Sequence, residues 1–203
     1  MKNVIKEQEK RQKQIRTEME RLMARYVQPH NIKSRHIRRV DIDRMIKDGK
    51  DLLMLCSMPR GAYPHAMALA HSQIDSKAPL RYFVLPSGFL VINPLIVAHT
   101  QVPVMDEEGC MSFPDMPRKA LVPRYHKIEV EYQTLIVDPN TKKPILGPFV
   151  KIGLSGKEAR VFQHEICHLN GCCIYDEDFS PEKAVGLGNG IIVTHSIWDN
   201  VSK

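Results

Sequence analysis

The chain has 203 residues, 43% hydrophobic, 26% charged and 6% aromatic, the balance of a globular protein with one substantial core, not of a disordered or fibrous chain. No window holds the 18 or more uninterrupted apolar residues of a membrane span, and no apolar stretch with a small-residue cleavage site follows the lysine-rich start. A protein that stays in the compartment where it is made, with no membrane partner, is therefore expected. The net charge of +6 is concentrated: residues 1–50 carry 15 Lys and Arg against 7 Asp and Glu, whereas the remaining 153 carry 14 against 16.

From Lys2 to about Gln28 there is no Pro or Gly, and Ile15, Met19, Leu22, Met23 and Tyr26 recur at helical spacing among charged residues. This predicts an amphipathic helix, ended by Pro29 because proline has no amide donor and disfavours helix in the residue before it. Residues 1–30 thus form a basic helical extension and residues 31–203 the domain that holds the chemistry. A basic extension can concentrate a protein near polyanions such as RNA or a ribosome surface, although charge alone fits a solvated helix face as well. A second helix is predicted to start at Asp41 or Asp43 and to carry Met45, Ile46, Leu53 and Met54.

Beyond Pro59-Arg60-Gly61 the texture becomes strand-like. The runs Arg81–Leu85 and Phe89–Ile96 flank Pro86-Ser87-Gly88 and predict a hairpin. Lys127–Tyr132 alternates polar and apolar residues as a half-buried strand does, and Asp138-Pro139-Asn140 turns the chain into another extended run, Ile145–Ile152. Ser155 is placed to cap a helix, with Glu158 completing a capping box; that helix runs to Leu169 and stops at Gly171. Gly190–Trp198 reads as a terminal strand. Strands followed by a late helix predict an α+β domain, with antiparallel β-sheets packed around a central helix and a helical extension before them.

That late helix contains Gln163-His164-Glu165-Ile166-Cys167-His168. Residues i and i+4 lie one above the other, so His164 and His168 present two imidazoles to one metal ion while Glu165 stands beside it. Val161, His164, His168 and Gly171 share one stripe, which turns both histidines inward. A metal site beside a carboxylate is machinery for hydrolysis. The five cysteines, Cys56, Cys110, Cys167, Cys172 and Cys173, lack the paired spacing of a disulfide framework and are expected to be reduced or metal-bound, which implies a reducing compartment.

Glu108-Gly109-Cys110-Met111-Ser112, followed by Pro114 and Val122-Pro123-Arg124, resembles the E-G-C-[LM]-S motif of the peptide deformylases, and Gln163 to Gly171 resembles their Q-H-E-x-x-H-L-x-G. Asn93-Pro94 is similar to a strand end of that family, and Gln73 falls where its first motif, G-x-G-x-A-A-x-Q, ends. The resemblance spans roughly residues 40 to 178. It implies Cys110 as a thiolate ligand beside His164 and His168, and Glu165 as general acid/base for removal of the formyl group from N-formylmethionyl peptides, with formate released. It also implies Fe²⁺ as the cofactor, with Zn²⁺, Co²⁺ or Ni²⁺ able to substitute, since a thiolate and two imidazoles suit any of these ions. Oxyanion donors would be the Gln73 carboxamide and the Met111 backbone N–H. Met67, Met111, Val161 and His164 are candidates for a methionine pocket and Arg118 for a peptide contact. The expected location is cytoplasmic or organellar.

Two departures stand out. The first motif has Ala66 and Ala68 where the family has glycines, whose added methyl groups are expected to hinder a peptide running alongside. It also has His71-Ser72 where Ala-Pro is usual, and His71 reads as a surface residue. Cys167 replaces a usual Asp, leaving an arginine such as Arg124 short of a partner. These departures keep two alternatives open: another HExxH amidase or peptidase, and a weakly active deformylase-like binding module. The first is disfavoured by a cysteine ligand lying upstream of the helix, the second by retention of all five functional residues.

Overall fold

A computed structural model describes residues 31–56, 66–112 and 119–186, together with scattered positions between 7 and 21, all of them helical. The apolar positions expected for the first helix, its end at Pro29, Arg118 and the strand expected at Gly190–Trp198 lie outside the described residues.

Helix α1, Ile42–Cys56, buries Met45, Leu52 and Leu55. Positions 45, 52 and 55 lie on one stripe at helical spacing, and Met54, about 100° from Leu55, is 46% exposed. Asp41 does not cap this helix. Its carboxylate turns back to accept the Arg38 N–H at 2.9 Å and closes a short 3₁₀ turn, Arg39–Asp41.

Strands β1 (Leu69–Ala70), β2 (Tyr82–Val84), β3 (Leu90–His99), β6 (Lys127–Gln133) and β9 (Val150–Ser155) form one sheet in the order β1-β2-β3-β6-β9. Every pairing in it is antiparallel. β4 (Pro103–Glu108) pairs with β5 (Ala120–Tyr125), and β7 (Leu135–Val137) with β8 (Pro144–Leu146). The hairpin at residues 86–88 forms as its turn residues predict, with Gly88 at φ +84°. The expected run Ile145–Ile152 is instead two strands, β8 and β9, interrupted at Gly147-Pro148-Phe149. Asn93 is not at a strand end. It sits inside β3 at φ +52°, where the register with β6 slips, and its carboxamide accepts the Ile37 N–H at 2.7 Å and donates to the Ile37 carbonyl at 3.1 Å. The side chain thus ties a bulge to the chain segment preceding α1.

The five-stranded sheet is covered on both faces. Tyr82, Val84 and Ile92 point toward α1, while the intervening Phe83 and Val91 point toward helix α2, Gly156–Leu169. Phe162, Ile166 and Leu169 of α2 complete that second core, with Phe162 edge-on to Phe83 at 5.0 Å between ring centroids. Each such side chain contributes about 1.5–3 kcal/mol on burial. Ser155 stands at the N-cap with extended backbone, but its side chain makes no capping bond; Gly156 N–H donates instead to the His126 carbonyl at 2.9 Å. The last described helix is α3, Pro181–Val185, which packs against α2. Among the described residues no helix is long and apolar enough to cross a membrane.

Candidate metal centre

α2 is the helix that carries H-E-x-x-H, and its packing against the sheet fixes where both histidines point. His164 and His168 stack one turn apart, with Nε2 atoms 3.2 Å from each other. The segment after β4 brings Cys110 to them, its Sγ 3.3 Å from His168 Nε2. The three donor atoms all lie within 4.8 Å of one another. Donors about 2.0–2.3 Å from one ion at a tetrahedral angle stand roughly 3.3–3.7 Å apart, so the Cys–His–His set fits a transition-metal ion.

The surroundings favour the same chemistry. His164 Nδ1–H donates to Glu108 Oε2 at 3.0 Å, which leaves Nε2 as the ligating nitrogen. Glu108 is clamped from its other side by Arg124, through bonds of 3.0 Å to each carboxylate oxygen, and by Arg160 at 2.8 Å. Burial pushes the Glu108 carboxyl up, but the His164 hydrogen bond and the Arg124 charge outweigh it and hold the group well below the usual carboxylate range. Cys110 follows the same pattern: burial raises its thiol, while His168 and His164 bring it well below its ordinary value, so a thiolate is favoured. His164 is pushed up to about 10, since its bonds to Cys110 and Glu108 overcome the opposing effect of burial. A thiolate and two imidazoles backed by the Glu108 carboxylate give the site the donor set and the negative charge that a cation requires.

Glu165 is buried beside this set, and burial raises its carboxyl above the ordinary value against the pull of His164 and His168. Its Oε2 has no hydrogen-bond partner among the described residues. A buried carboxylate with a raised pKa and an unengaged oxygen is equipped to take and return a proton. Gln73 is also buried, with Oε1 accepting the Ala70 N–H at 2.7 Å and Nε2 donating to Ser112 Oγ at 2.9 Å.

Three sequence expectations are corrected here. His71 is not on the surface but fully buried, because its ring bonds to Asp48 on one side and to the Leu80 N–H on the other. Cys167 is not a free thiol. It pairs with Cys172 in a disulfide, the two Cα atoms 5.2 Å apart, because the turn at Gly171 folds the chain back over the end of α2. Ala68, expected to obstruct a substrate, turns its methyl group into the core beside Phe83 and Ile166. Arg124 Nη1 does lack a hydrogen-bond partner among the described residues, and the guanidinium lies over the Phe179 ring at 5.1 Å. Cys56 and Cys173 are buried free cysteines. Of the pocket candidates, Met67 is 48% exposed and Met111 and Val161 are half-buried.

Arg160 and the clamp on Glu108 were missed by sequence reasoning. The available signal was helical spacing, since Arg160 lies one turn before His164 on the same face of α2.

An antiparallel α+β domain whose HExxH helix meets an upstream cysteine defines a narrow class of hydrolase-like proteins. The sequence profile of the polypeptide deformylase family matches residues 33–184, and the chain belongs to that family. A peptide deformylase of Thermotoga petrophila is 42% identical over 110 residues, covering 53% of this chain and 59% of that protein. Peptide deformylase 2 of a Nostoc species is 34% identical over 125 residues, covering 62% and 54%. The chain thus spans somewhat over half the length of these curated relatives. Among solved structures, the Thermotoga maritima peptide deformylase superposes with a TM-score of 0.53 at 29% identity, covering 70% of this chain and 85% of that one. The enzyme of Ehrlichia chaffeensis in complex with actinonin gives 0.57 at 25% identity, covering 80% and 93%.

Proposed function

We propose that the protein hydrolyses the formamide of N-formylmethionyl peptides, water adding to the formyl carbon and the C–N bond breaking to give formate and a free amino terminus. The observation that carries this reading is the convergence of Cys110, His164 and His168 beside a buried Glu165 whose carboxyl is raised. A divalent transition ion held by those three residues, Fe²⁺ by family resemblance with Zn²⁺, Co²⁺ or Ni²⁺ as substitutes, would supply Lewis acidity to the formyl carbonyl and lower the pKa of water. Glu165 takes the proton from the attacking water and delivers it to the leaving nitrogen. The Gln73 carboxamide and the Met111 backbone N–H donate to the oxygen that gains charge in the transition state. Met67 and Val161 line the approach for the methionine side chain, and Arg118 contacts the peptide backbone. Residues 1–30 form the basic extension and 31–203 the catalytic domain. The extension's charge would favour a polyanionic ribosome surface where nascent chains emerge, in the cytoplasm or an organelle.

The test is formate release from a formyl-Met tripeptide by anaerobically prepared, metal-loaded protein, with metal content measured on the same sample. Glu165→Gln keeps the shape but removes the base. It is expected to retain the ion while turnover falls by roughly 100-fold or more. Turnover at the parent rate would assign the proton transfer to another group.

A further inference from the structure

Gln73 ends a 3₁₀ turn of only three residues, His71–Gln73. So short a turn has little rigidity of its own, yet the carboxamide it presents must hold one position if it is to donate to a developing oxyanion. The two residues before Gln73 make bonds that answer this need. His71 Nδ1 accepts the Leu80 N–H at 2.9 Å, which places the ring proton on Nε2, and Nε2–H donates to Asp48 of α1 at 3.2 Å. Asp48 is itself steadied by Arg44 Nε at 3.4 Å, and the His71 ring packs against Tyr82 at 5.0 Å between centroids. Ser72 Oγ donates to the backbone carbonyl of His168 at 3.2 Å. The turn is therefore fastened on one side to α1 and on the other to the helix that carries the histidine pair. His71, Ser72 and Asp48 are all buried, so these bonds are not exchanged for water at small cost.

We propose that His71, with Asp48 behind it, and Ser72 are positioning residues that hold the Gln73 carboxamide in register with α2. Neither touches the reacting atoms; both act through Gln73. The proposal rests on the deformylase reading for its effect on catalysis, but not for its effect on the turn.

Misplacement of a transition-state donor appears in kcat, not KM, and a shift of 1 Å costs up to about 100-fold. In metal-loaded protein, His71→Ala and Asp48→Leu are expected to lower kcat on a formyl-Met tripeptide by about tenfold with KM and metal content unchanged. Asp48→Asn, which keeps an oxygen for the His71 N–H, should recover most of that loss. With Gln73→Ala as the second change, the double variant should be little slower than Gln73→Ala alone, because the donor being positioned is already gone. Amide hydrogen exchange supplies a readout free of activity: the Ala70 N–H, held by Gln73 Oε1, should exchange at least about tenfold faster in His71→Ala while the Ile128 amide in the sheet keeps its protection. Ser72→Ala removes one hydroxyl and carries the same measurements if His71→Ala does not fold. Unchanged Ala70 exchange, or kcat losses from His71→Ala and Gln73→Ala that multiply, would overturn the proposal. A parent protein that releases no formate would instead overturn the deformylase reading, and the exchange measurement would still decide the positioning role.

Discussion

Glu108 is the residue on which the site's electrostatics turn. It is buried, accepts both Arg124 bonds and the Arg160 bond, and accepts the His164 Nδ1–H as well. Removing one partner from a buried charge cluster strands the others, which costs far more than losing an exposed pair. Glu108→Gln is expected to leave the three ligands in place but to weaken metal affinity by about 10–100-fold, the usual effect of losing the group that orients a ligating histidine. Titration with a competing chelator measures it. Cys110→Ala, which deletes a ligand, should lose most of the metal outright by elemental analysis, whereas Cys56→Ala should lose none; full stoichiometry in Cys110→Ala would refute the donor set. The histidine pair was legible because H-E-x-x-H is a local spacing that a helix converts directly into geometry, whereas Cys110, 58 residues from His168, was reached only through the resemblance of E-G-C-M-S to the family motif. Glu108's clamp and the buried His71–Asp48 bond had no such signal, since their partners lie 16 to 52 residues apart and meet only once the sheet has formed.

At the scale of elements, the end of α2 shows how the helix carrying His164 and His168 is kept from sliding. Arg81, just before β2, is buried, donates to the Leu169 carbonyl at 3.4 Å and to Asn170 Oδ1 at 2.9 Å, and Asn170 in turn donates to the Ala184 carbonyl at 2.8 Å. A cation at the carbonyl end of a helix also complements its dipole. Gly171 completes the stop at φ +79°, and a Cβ there would lie 2.9 Å from Ile32 N and 3.0 Å from Ile32 C. Both the left-handed backbone and the contact with backbone atoms oppose a side chain. Gly171→Ala is therefore expected to destabilise the fold by about 1–3 kcal/mol, read as a lower urea midpoint with an unchanged m-value. This stop was legible from a glycine after the last periodic residue. The α2 cap was not: Ser155 has the right type and backbone, but the His126 carbonyl takes the Gly156 amide and the serine hydroxyl makes no cap.

For the whole molecule, the segment before α1 is what joins the sheet edge to the helix layer. Arg35 N–H donates to the Pro79 carbonyl at 3.0 Å, Arg81 N–H donates to the Arg35 carbonyl at 2.8 Å, and Asn31 and Ser34 N–H groups reach the Gly171 and Leu169 carbonyls at 2.9 Å. Asp41 secures this strap, accepting from Arg35 at 2.8 and 2.6 Å and from the Arg38 N–H at 2.9 Å. The Arg35 hydrogen bond, against the opposing effect of burial, holds the Asp41 carboxyl well below its ordinary value. A group whose folded pKa is depressed contributes stability that is fully present above its unfolded pKa of about 3.9 and is lost as pH falls toward the folded value. The Arg35 side chain is 42% exposed, so solvent screening limits the contribution to about 1 kcal/mol. Asp41→Asn should therefore lower the urea midpoint at pH 7, and the gap between variant and parent should close progressively below about pH 4. A gap that persists unchanged to pH 2 would mean that Asp41 acts through its shape and neutral hydrogen bonds, and that charge plays no part in fastening the strap.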